Sequence, residues 1–355
     1  HNVGRSRVEL EEKELEDAKE RLRNEGVWES DQGQEFDYME HRSQQYPSID
    51  QLWADLDFTS SLLTVGQRED LKETLRGLES CFGKGPCMER MEMVPSFYHR
   101  IELVEGARPV SQNPARMGPE DRAEMTKVVK TLLQDGLIVP CRSPWASRAL
   151  LVPKKGGKKR FVCDYRALNH LTRPDKYTMP RADLLFDALK GAKFISTFDV
   201  SNGFWSIPMR PEDQEKTAFC TWDGLFMWRV CPQGLMNSPA TFQRAMDTLL
   251  AGLKWKCALC FVDDVLVFSR TYKEHLEHVR LVVERFRHTT LVLSPKKCRW
   301  VCAEVLYLGH IVSADGVRPN PAKISCIEGM TAPTNVRELR QALGLCSYYR
   351  RHVKG

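Results

Sequence analysis

Residues 260–269, CFVDDVLVFS, place two adjacent aspartates between two apolar runs. Both runs have the composition of buried strands. Burying two neighbouring carboxylates is costly unless their charge is compensated. Adjacent strand residues point to opposite faces, so Asp263 and Asp264 cannot share a task in mid-strand. At the tip of a hairpin both reach solvent, and the stretch is therefore predicted to be a β-hairpin that turns at the two aspartates.

A third acid, Asp199, ends another strand-like segment, FISTFD, at residues 194–199. If the hairpin pairs beside that strand, the three carboxylates converge on one edge of a sheet. Mg²⁺ prefers such hard oxygen ligands, and two ions side by side support in-line phosphoryl transfer. On these residues alone, an ordinary polar hairpin turn remains the alternative to a metal site.

Composition bounds the class of protein. The chain has 355 residues, 42% of them hydrophobic, which is enough for a sizeable core. It contains no run of about 18 apolar residues, so no membrane partner is expected. The 12 cysteines lack zinc-site spacing, and the close pairs Cys257/Cys260 and Cys298/Cys302 lie in apolar stretches. Buried thiols are favoured over metal ligands, which indicates a reducing compartment, cytoplasm or nucleus, with an organelle left open.

Charge divides the chain into an acidic arm and a basic body. Residues 1–50 hold 14 acidic and 7 basic residues, whereas the whole chain has a net charge of +5, so the remainder carries +12. A basic body indicates a polyanionic partner such as nucleic acid. Residues 6–26 are predicted to form an acidic helix that docks through one thin apolar stripe on a protein partner, and residues 27–56 to form a linker.

The remaining patterns mix helices and strands. A helix is predicted over 118–136, between Pro119 and Gly136, and a hairpin with a Gly-Gly turn over 149–165. Helical patterns follow at 273–289 and 334–350. Because strands and helices alternate without a regular βαβ rhythm, an α+β fold is favoured over a doubly wound sheet.

An ordered series of motifs adds a family resemblance. The motifs are GLIVPCRSPWASRALLVPKKGGKKRFVCDYRALN (136–169), YTMPR (177–181), STFDVSNGFWSIPM (196–209), KTAF (216–219), PQGLMNSPATFQR (232–244), FVDD (261–264), YLGHIVSADG (307–316) and LRQALGLCSYYRR (339–351). Each is weak alone, but the series strongly resembles the reverse transcriptase of Ty3/gypsy-type long-terminal-repeat retrotransposons, with retroviruses as more distant relatives. The similarity runs from about residue 57 to the end.

The resemblance implies a right-hand polymerase fold with an N-terminal helical extension. Its expected units are the acidic extension and linker (1–56), a lead-in and fingers (57–172), first palm part (173–206), second fingers part (207–234), palm with FVDD hairpin and primer grip (235–316), and a partial thumb or connection (317–355). The sequence starts at His1, lacks an aspartic-protease signature, and ends where the family leads on to ribonuclease H. A fragment of a Pol polyprotein is therefore expected.

The resemblance also assigns residue roles. Asp199, Asp263 and Asp264 match the catalytic triad that binds two Mg²⁺ ions, for which Mn²⁺ substitutes, and the Val200 carbonyl lies near the first metal. Phe204 matches the aromatic gate that favours dNTPs over rNTPs; a plain core aromatic is the alternative. Residues 307–310 match the primer grip and equally suit a strand-turn edge; they are Tyr307, Leu308, Gly309 and His310.

The resemblance further implies a nucleotide site. Arg160 and one of Lys154 or Lys155, on the Gly-tipped hairpin, are expected to hold the triphosphate, although such a basic loop is often only solvated. Gln233 matches a position lining the nucleotide pocket. Phe261 stands where many relatives have Tyr, and Ser206 where Gln is common, which puts efficiency and fidelity in question but touches no metal ligand.

Two functions follow from these residues. The first is an RNA-directed DNA polymerase, a nucleotidyltransferase that adds dNTPs to a primer 3′-hydroxyl on an RNA or DNA template. The alternative is a host-retained, catalytically idle domain that binds nucleic acid or serves as a structural part of a ribonucleoprotein. The intact aspartates Asp199, Asp263 and Asp264 oppose the idle alternative.

Overall fold

The protein was analysed as a computed structural model, which describes residues 46–83, 85, 98–154, 157 and 159–352. The predicted acidic helix over residues 6–26 lies outside the described residues. The described α-helices are α1 (Ile49–Asp55), α2 (Val65–Leu75), α3 (Pro119–Gln134), α4 (Arg166–Leu171), α5 (Ala182–Ala188), α6 (Pro211–Gln214), α7 (Ser238–Leu249), α8 (Tyr272–Arg285), α9 (Pro321–Glu328) and α10 (Val336–Tyr348).

The strands of the described residues form three sheets. Their bounds are β1 (Ile138–Pro140), β2 (Ser147–Pro153), β3 (Lys159–Asp164), β4 (Phe194–Asp199), β5 (Phe219–Thr221), β6 (Gly224–Trp228), β7 (Ala258–Phe261), β8 (Asp264–Ser269), β9 (Arg299–Cys302), β10 (Glu304–Tyr307), β11 (His310–Ser313) and β12 (Gly316–Pro319). The strand orders are β1-β6-β5-β2-β3, β7-β8-β4-β9 and β10-β11-β12. Sheets and helices are mixed without a βαβ rhythm, so the α+β prediction is confirmed.

The linker prediction for residues 27–56 is wrong over α1. Ser48 caps this helix: its hydroxyl accepts a hydrogen bond from the Gln51 N–H, and the Gln51 side-chain oxygen accepts one from the Ser48 N–H. Leu52 and Leu56, four residues apart on one face, are buried in the main hydrophobic core. The folded part of the chain therefore begins before residue 57.

The first sheet contains the predicted basic hairpin. Strands β2 and β3 pair antiparallel from Arg148–Asp164 to Pro153–Lys159, as predicted. Helix α3 packs beside this sheet and begins at Pro119, the position where a missing N–H is harmless. Gly136 follows the helix with a φ of 66°, which glycine adopts without steric cost.

The second sheet is buried on both faces. Strand alternation sends Phe198, Val265 and Val267 into the main core, against helix α8. The intervening positions Ile195 and Leu266 enter a second cluster with helix α5 and the β10-β11 strands. The strands that end in acids are thus fixed by packing from two sides.

The third sheet and the last two helices complete the described chain. The predicted helix over 334–350 is confirmed as α10, which starts at the cap Asn335. The close cysteine pairs are buried free thiols, as predicted. Within the described residues, no helix combines the length and the apolar character needed to cross a membrane.

Candidate active site

The two adjacent aspartates lie at the end of the β7-β8 hairpin. The turn residues are Val262 and Asp263, and Asp264 opens β8 opposite Phe261. The predicted hairpin is confirmed. Its turn lies at residues 262–263, one residue earlier than the predicted turn at Asp263 and Asp264. Strands β4 and β8 pair antiparallel and bring Asp199 directly opposite Asp264. Backbone pairing therefore brings two of the three predicted acids to one sheet edge, and the third, Asp263, lies in the adjoining turn.

The hairpin turn is held from behind by a buried glutamine. Val262 has a φ of 55°, a strained conformation for a β-branched residue. Gln243 on α7 accepts a hydrogen bond from the Val262 N–H at 2.8 Å. Its amide donates to Asp247 Oδ1 at 2.9 Å, which fixes the orientation of the side chain. Gln243 was part of a motif in the sequence, but only the contact reveals its task.

Gly203 permits the close approach of the segment that follows β4. A Cβ at this position would lie 3.0 Å from Phe242 and 3.5 Å from the Asp263 Cβ. The Val200 N–H also donates to the Asp263 carbonyl at 3.5 Å. The end of β4 and the aspartate turn therefore pack closely, and a side chain at position 203 would have to displace the Phe242 ring.

Negative charge accumulates at this edge. Burial, together with the charges of Asp263 and Asp199, raises the pKa of Asp264 to about 6. Lys297 partly compensates Asp199, because its Nζ lies 3.1 Å from Asp199 Oδ1. Sequence reasoning missed Lys297, which belongs to an unremarkable Pro-Lys-Lys turn.

The donor set at this edge has the chemistry that hard divalent cations prefer. Three carboxylates repel one another here, and among the described residues only one of them has a cationic partner. As positioned, no three carboxylate, imidazole or thiol side chains among the described residues are gathered around one point that would hold an ion. The carboxylates fit Mg²⁺ in type and number, and binding would require their side chains to rotate towards each other.

The predicted gate residue Phe204 lies beside this edge, and the predicted pocket residue Gln233 lies in the loop before α7. Phe204, next to Gly203, is half-buried and packs its ring 5.5 Å from that of Phe242. Gln233 is exposed at the start of a loop that Asn169 clamps. The Asn169 amide donates to the Gly234 carbonyl at 2.8 Å and accepts from the Met236 N–H at 2.9 Å. This clamp was not expected from the sequence.

The predicted triphosphate ligands lie on a different sheet from the carboxylates. Lys154 and Arg160 are exposed on the β2-β3 hairpin, whereas Lys155 lies outside the described residues. Neither Lys154 nor Arg160 forms an ion pair within the described part of the chain. The neighbouring Lys159 differs, because it pairs with Asp121 on α3. Arg160 is thus available to an anionic ligand.

The predicted primer grip is the turn between β10 and β11. Leu308 and Gly309 have φ values of 45° and 71°. Two tyrosines at the end of α10 hold this turn: Tyr348 donates to the Leu308 carbonyl at 2.6 Å, and Tyr349 donates to the Gly309 carbonyl at 2.8 Å. The segment is therefore both a strand-turn edge and a braced surface feature.

Tyr307 and His310 are buried on either side of that turn. Burial, Cys260 and Asp264 raise the pKa of Tyr307 well above its ordinary value. A cavity of about 390 Å³ joins β10 to the carboxylate edge, and its lining includes Asp199, Asp264, Lys297, Leu306 and Tyr307. Tyr307 of the predicted grip thus shares a cavity with Asp199 and Asp264 of the predicted triad.

A sheet whose antiparallel strands carry acids at one edge, together with a second sheet that contains a basic hairpin, is the architecture of a right-hand polymerase fold. Residues 152–312 match the family model described as reverse transcriptase (RNA-dependent DNA polymerase). The chain belongs to the reverse transcriptase family, in its Ty3/gypsy-type branch.

Curated relatives support this placement. The chain is 35% identical over 306 residues to the retrovirus-related Pol polyprotein from transposon 297 of Drosophila melanogaster, covering 84% of this chain and 29% of the relative. It is 38% identical over 247 residues to the corresponding polyprotein from transposon gypsy of the same species, covering 68% and 24%. The chain therefore spans about a quarter to a third of the length of these polyproteins.

Solved structures support the fold. The foamy viral protease-reverse transcriptase in complex with double-stranded DNA matches with a TM-score of 0.73 and 26% identity, over 85% of this chain and 52% of that one. The same viral protein in complex with an RNA/DNA hybrid matches with a TM-score of 0.72 and 24% identity, over 85% and 40%. The right-hand polymerase fold expected from the sequence is confirmed.

Proposed function

We propose that this protein is an RNA-directed DNA polymerase that adds dNTPs to the 3′-hydroxyl of a primer paired with an RNA or DNA template. The observation that carries the proposal is the pairing of Asp199 with Asp264 beside the Asp263 turn. Family membership supports the same reaction. We assign the β7-β8-β4-β9 sheet to the palm, the β1-β6-β5-β2-β3 sheet to the fingers, and residues from 317 onwards to a partial thumb.

The three aspartates would hold two Mg²⁺ ions, with Mn²⁺ able to replace them and the Val200 carbonyl near the first ion. When bound, such ions activate the attacking hydroxyl and stabilise the departing pyrophosphate. The chain itself contributes position: Gln243 fixes the turn that carries Asp263, and the two-sided packing of the sheet fixes Asp199 and Asp264. In phosphoryl transfer, positioning and charge stabilisation supply most of the rate.

The incoming dNTP would lie between the carboxylates and the basic hairpin. Arg160 suits bidentate contact with phosphate oxygens, and Lys154 or Lys155 adds a point charge. Phe204 would pack under the sugar and exclude a 2′-hydroxyl, and Gln233 would line the pocket beside the loop that Asn169 clamps. The braced turn of Tyr307, Leu308, Gly309 and His310 would direct the primer terminus towards the carboxylates through the shared cavity.

Primer extension by the full chain tests the proposal. The assay uses an RNA template with an annealed DNA primer, Mg²⁺ and dNTPs, and compares the parent with Asp263→Asn/Asp264→Asn. We expect the double variant to lose activity by about a thousandfold or more while still binding the template-primer. Asp315→Asn, at the exposed β11-β12 turn, is the matched control and keeps full activity.

Nucleotide choice refines the same assay. Phe204→Ala removes the ring and is expected to narrow the preference for dNTPs over rNTPs. If the parent binds template-primer at low salt but extends no primer with Mg²⁺ or Mn²⁺, the polymerase proposal is wrong, and the domain binds nucleic acid without catalysis.

A further inference from the structure

Strand β9 contains one extra residue opposite β4. Ile195 pairs with Cys302 but Thr197 pairs with Arg299, so Trp300 and Val301 both lie opposite Ser196. This is a β-bulge. Val301 is fully buried and has a φ of 50°, which is strained for a β-branched residue. Such a conformation persists where surrounding contacts hold it in place.

A buried chain of polar groups holds the bulge. Ser196 Oγ accepts a hydrogen bond from the Val301 N–H at 3.0 Å and lies 2.8 Å from His275 Nε2. His275 Nδ1 lies 3.0 Å from Ser269 Oγ, which is 2.7 Å from His278 Nδ1. His275 is fully buried, and burial lowers its pKa to about 3, so the ring is neutral. One ring nitrogen therefore donates while the other accepts.

The bulge sets the register in which β9 begins beside β4. Cys298 and Trp300 enter the main core with Phe198. Lys297 ends the short turn that comes just before β9, and there it contacts Asp199. Without the extra residue, the start of β9 would move by one residue relative to β4, and the turn that carries Lys297 would move with it relative to Asp199.

We propose that Ser196 and His275 are positioning residues of the active site: they hold the β9 bulge and thereby keep the turn that carries Lys297 in place beside Asp199. This inference rests on the proposed function for its catalytic consequence. The claim that Ser196 and His275 stabilise the bulge can be tested without any measurement of activity. Neither residue touches the reacting groups, and both act through Lys297.

The catalytic consequence is tested by a double-mutant cycle in primer extension. Ser196→Ala is expected to lower kcat by about tenfold or more with little change in template-primer Kd. Lys297→Ala removes the same ion pair, so Ser196→Ala/Lys297→Ala is expected to lose no more than Lys297→Ala alone. Thr172→Val is the matched control, since Thr172 is a buried hydroxyl that donates to the Leu168 carbonyl away from this sheet. It is expected to keep the parent kcat.

His275 provides a conservative pair of variants. His275→Leu removes both polar contacts of the ring, whereas His275→Gln retains an amide that reaches towards Ser196. We expect kcat of His275→Gln to lie closer to that of the parent than kcat of His275→Leu does. Equal losses in the two variants would contradict a role through the Ser196 hydrogen bond.

Thiol labelling of the full chain under native conditions tests whether Ser196 stabilises the bulge. Cys298 is completely buried in the parent, and burial raises its pKa to about 12. If Ser196 holds the bulge, Ser196→Ala exposes Cys298 transiently, and its labelling by a maleimide, read by peptide mass spectrometry, accelerates by about tenfold. Thr172→Val is expected to label at the parent rate.

The two tests separate the inference from the proposed function. If the parent extends no primer, the proposed function fails and the labelling result alone decides the inference. Labelling of Cys298 that is as slow in Ser196→Ala as in the parent would overturn the inference. The inference would also be wrong if the loss of kcat in Ser196→Ala/Lys297→Ala equalled the product of the two single losses. That outcome would mean that Ser196 and Lys297 act independently of each other.

Discussion

The carboxylate edge of the β7-β8-β4-β9 sheet and the basic β2-β3 hairpin differ in how their charges are held. Asp199 ends β4 and Asp264 begins β8, and both strands are buried on both faces of the sheet. Lys154 and Arg160 extend from an exposed hairpin and have no partner among the described residues. The comparison teaches that packing fixes the strands that carry the carboxylates before any ligand arrives, whereas the cations of the hairpin depend on a ligand to fix them.

Among the substitutions that test this comparison, the largest loss of kcat is expected at Gln243. Gln243→Leu removes the acceptor for the Val262 N–H and leaves the strained turn unsupported. We expect kcat for primer extension to fall by about a hundredfold, because a small displacement of a catalytic group has effects of that size.

A second substitution distinguishes the effect of strain at Val262 from the effect of the packing around the turn. Val262→Gly accepts the positive φ without strain. In the Gln243→Leu background it is expected to recover part of the lost kcat. If Gln243→Leu extends primers at the parent rate, the turn does not depend on its buried support, and the comparison between the two regions fails.

A smaller effect is expected at the hairpin. Arg160→Ala removes an exposed cation and is expected to raise KM for dNTP by about tenfold while kcat changes little, since the residue contributes ground-state binding. Lys159→Ala is the matched control, because the Lys159 ammonium already pairs with Asp121. A steady-state analysis at two salt concentrations checks both, and the Arg160 effect is expected to shrink as salt rises. Equal KM values for Arg160→Ala and the parent would count against Arg160 as a phosphate ligand.

The smallest effect is the pH dependence of stability. The pKa of Asp264 rises from 3.8 to about 6 on folding because of burial and the charges of Asp263 and Asp199. The folded state then favours the protonated carboxyl. This contribution is fully present below about pH 4 and is lost as the pH rises through about 6.

Thermal unfolding of the full chain with and without Mg²⁺, at two pH values, tests the ionisation of the same carboxyl group. We expect Mg²⁺ to raise Tm by a few degrees at about pH 7.5 and by less at about pH 5, because only the ionised carboxylates bind it. Asp264→Asn is expected to lose most of this difference, whereas Asp315→Asn retains it. A rise in Tm that is the same at both pH values would place the cation elsewhere.

Much of the site could be predicted because its signals are local. The apolar runs around Asp263 and Asp264 specify two strands and a turn within ten residues, and FISTFD supplies the third acid. The α1 helix was equally local, with a Ser48–Gln51 capping box and apolar Leu52 and Leu56. It was missed because the polar residues around it dominated the pattern.

What the sequence by itself determined is which strands end in acids, where glycine and proline bound the elements, and which family the ordered motifs resemble. Only the tertiary structure decided that Gln243 supports the aspartate turn, that Asn169 clamps the loop after Gln233, and that a bulge opposite Ser196 places Lys297 beside Asp199. The physical reason is the distance along the sequence between the residues that interact. Strand alternation and turns depend on neighbours along the chain, whereas these contacts join residues far apart in sequence and exist only once the sheet has packed.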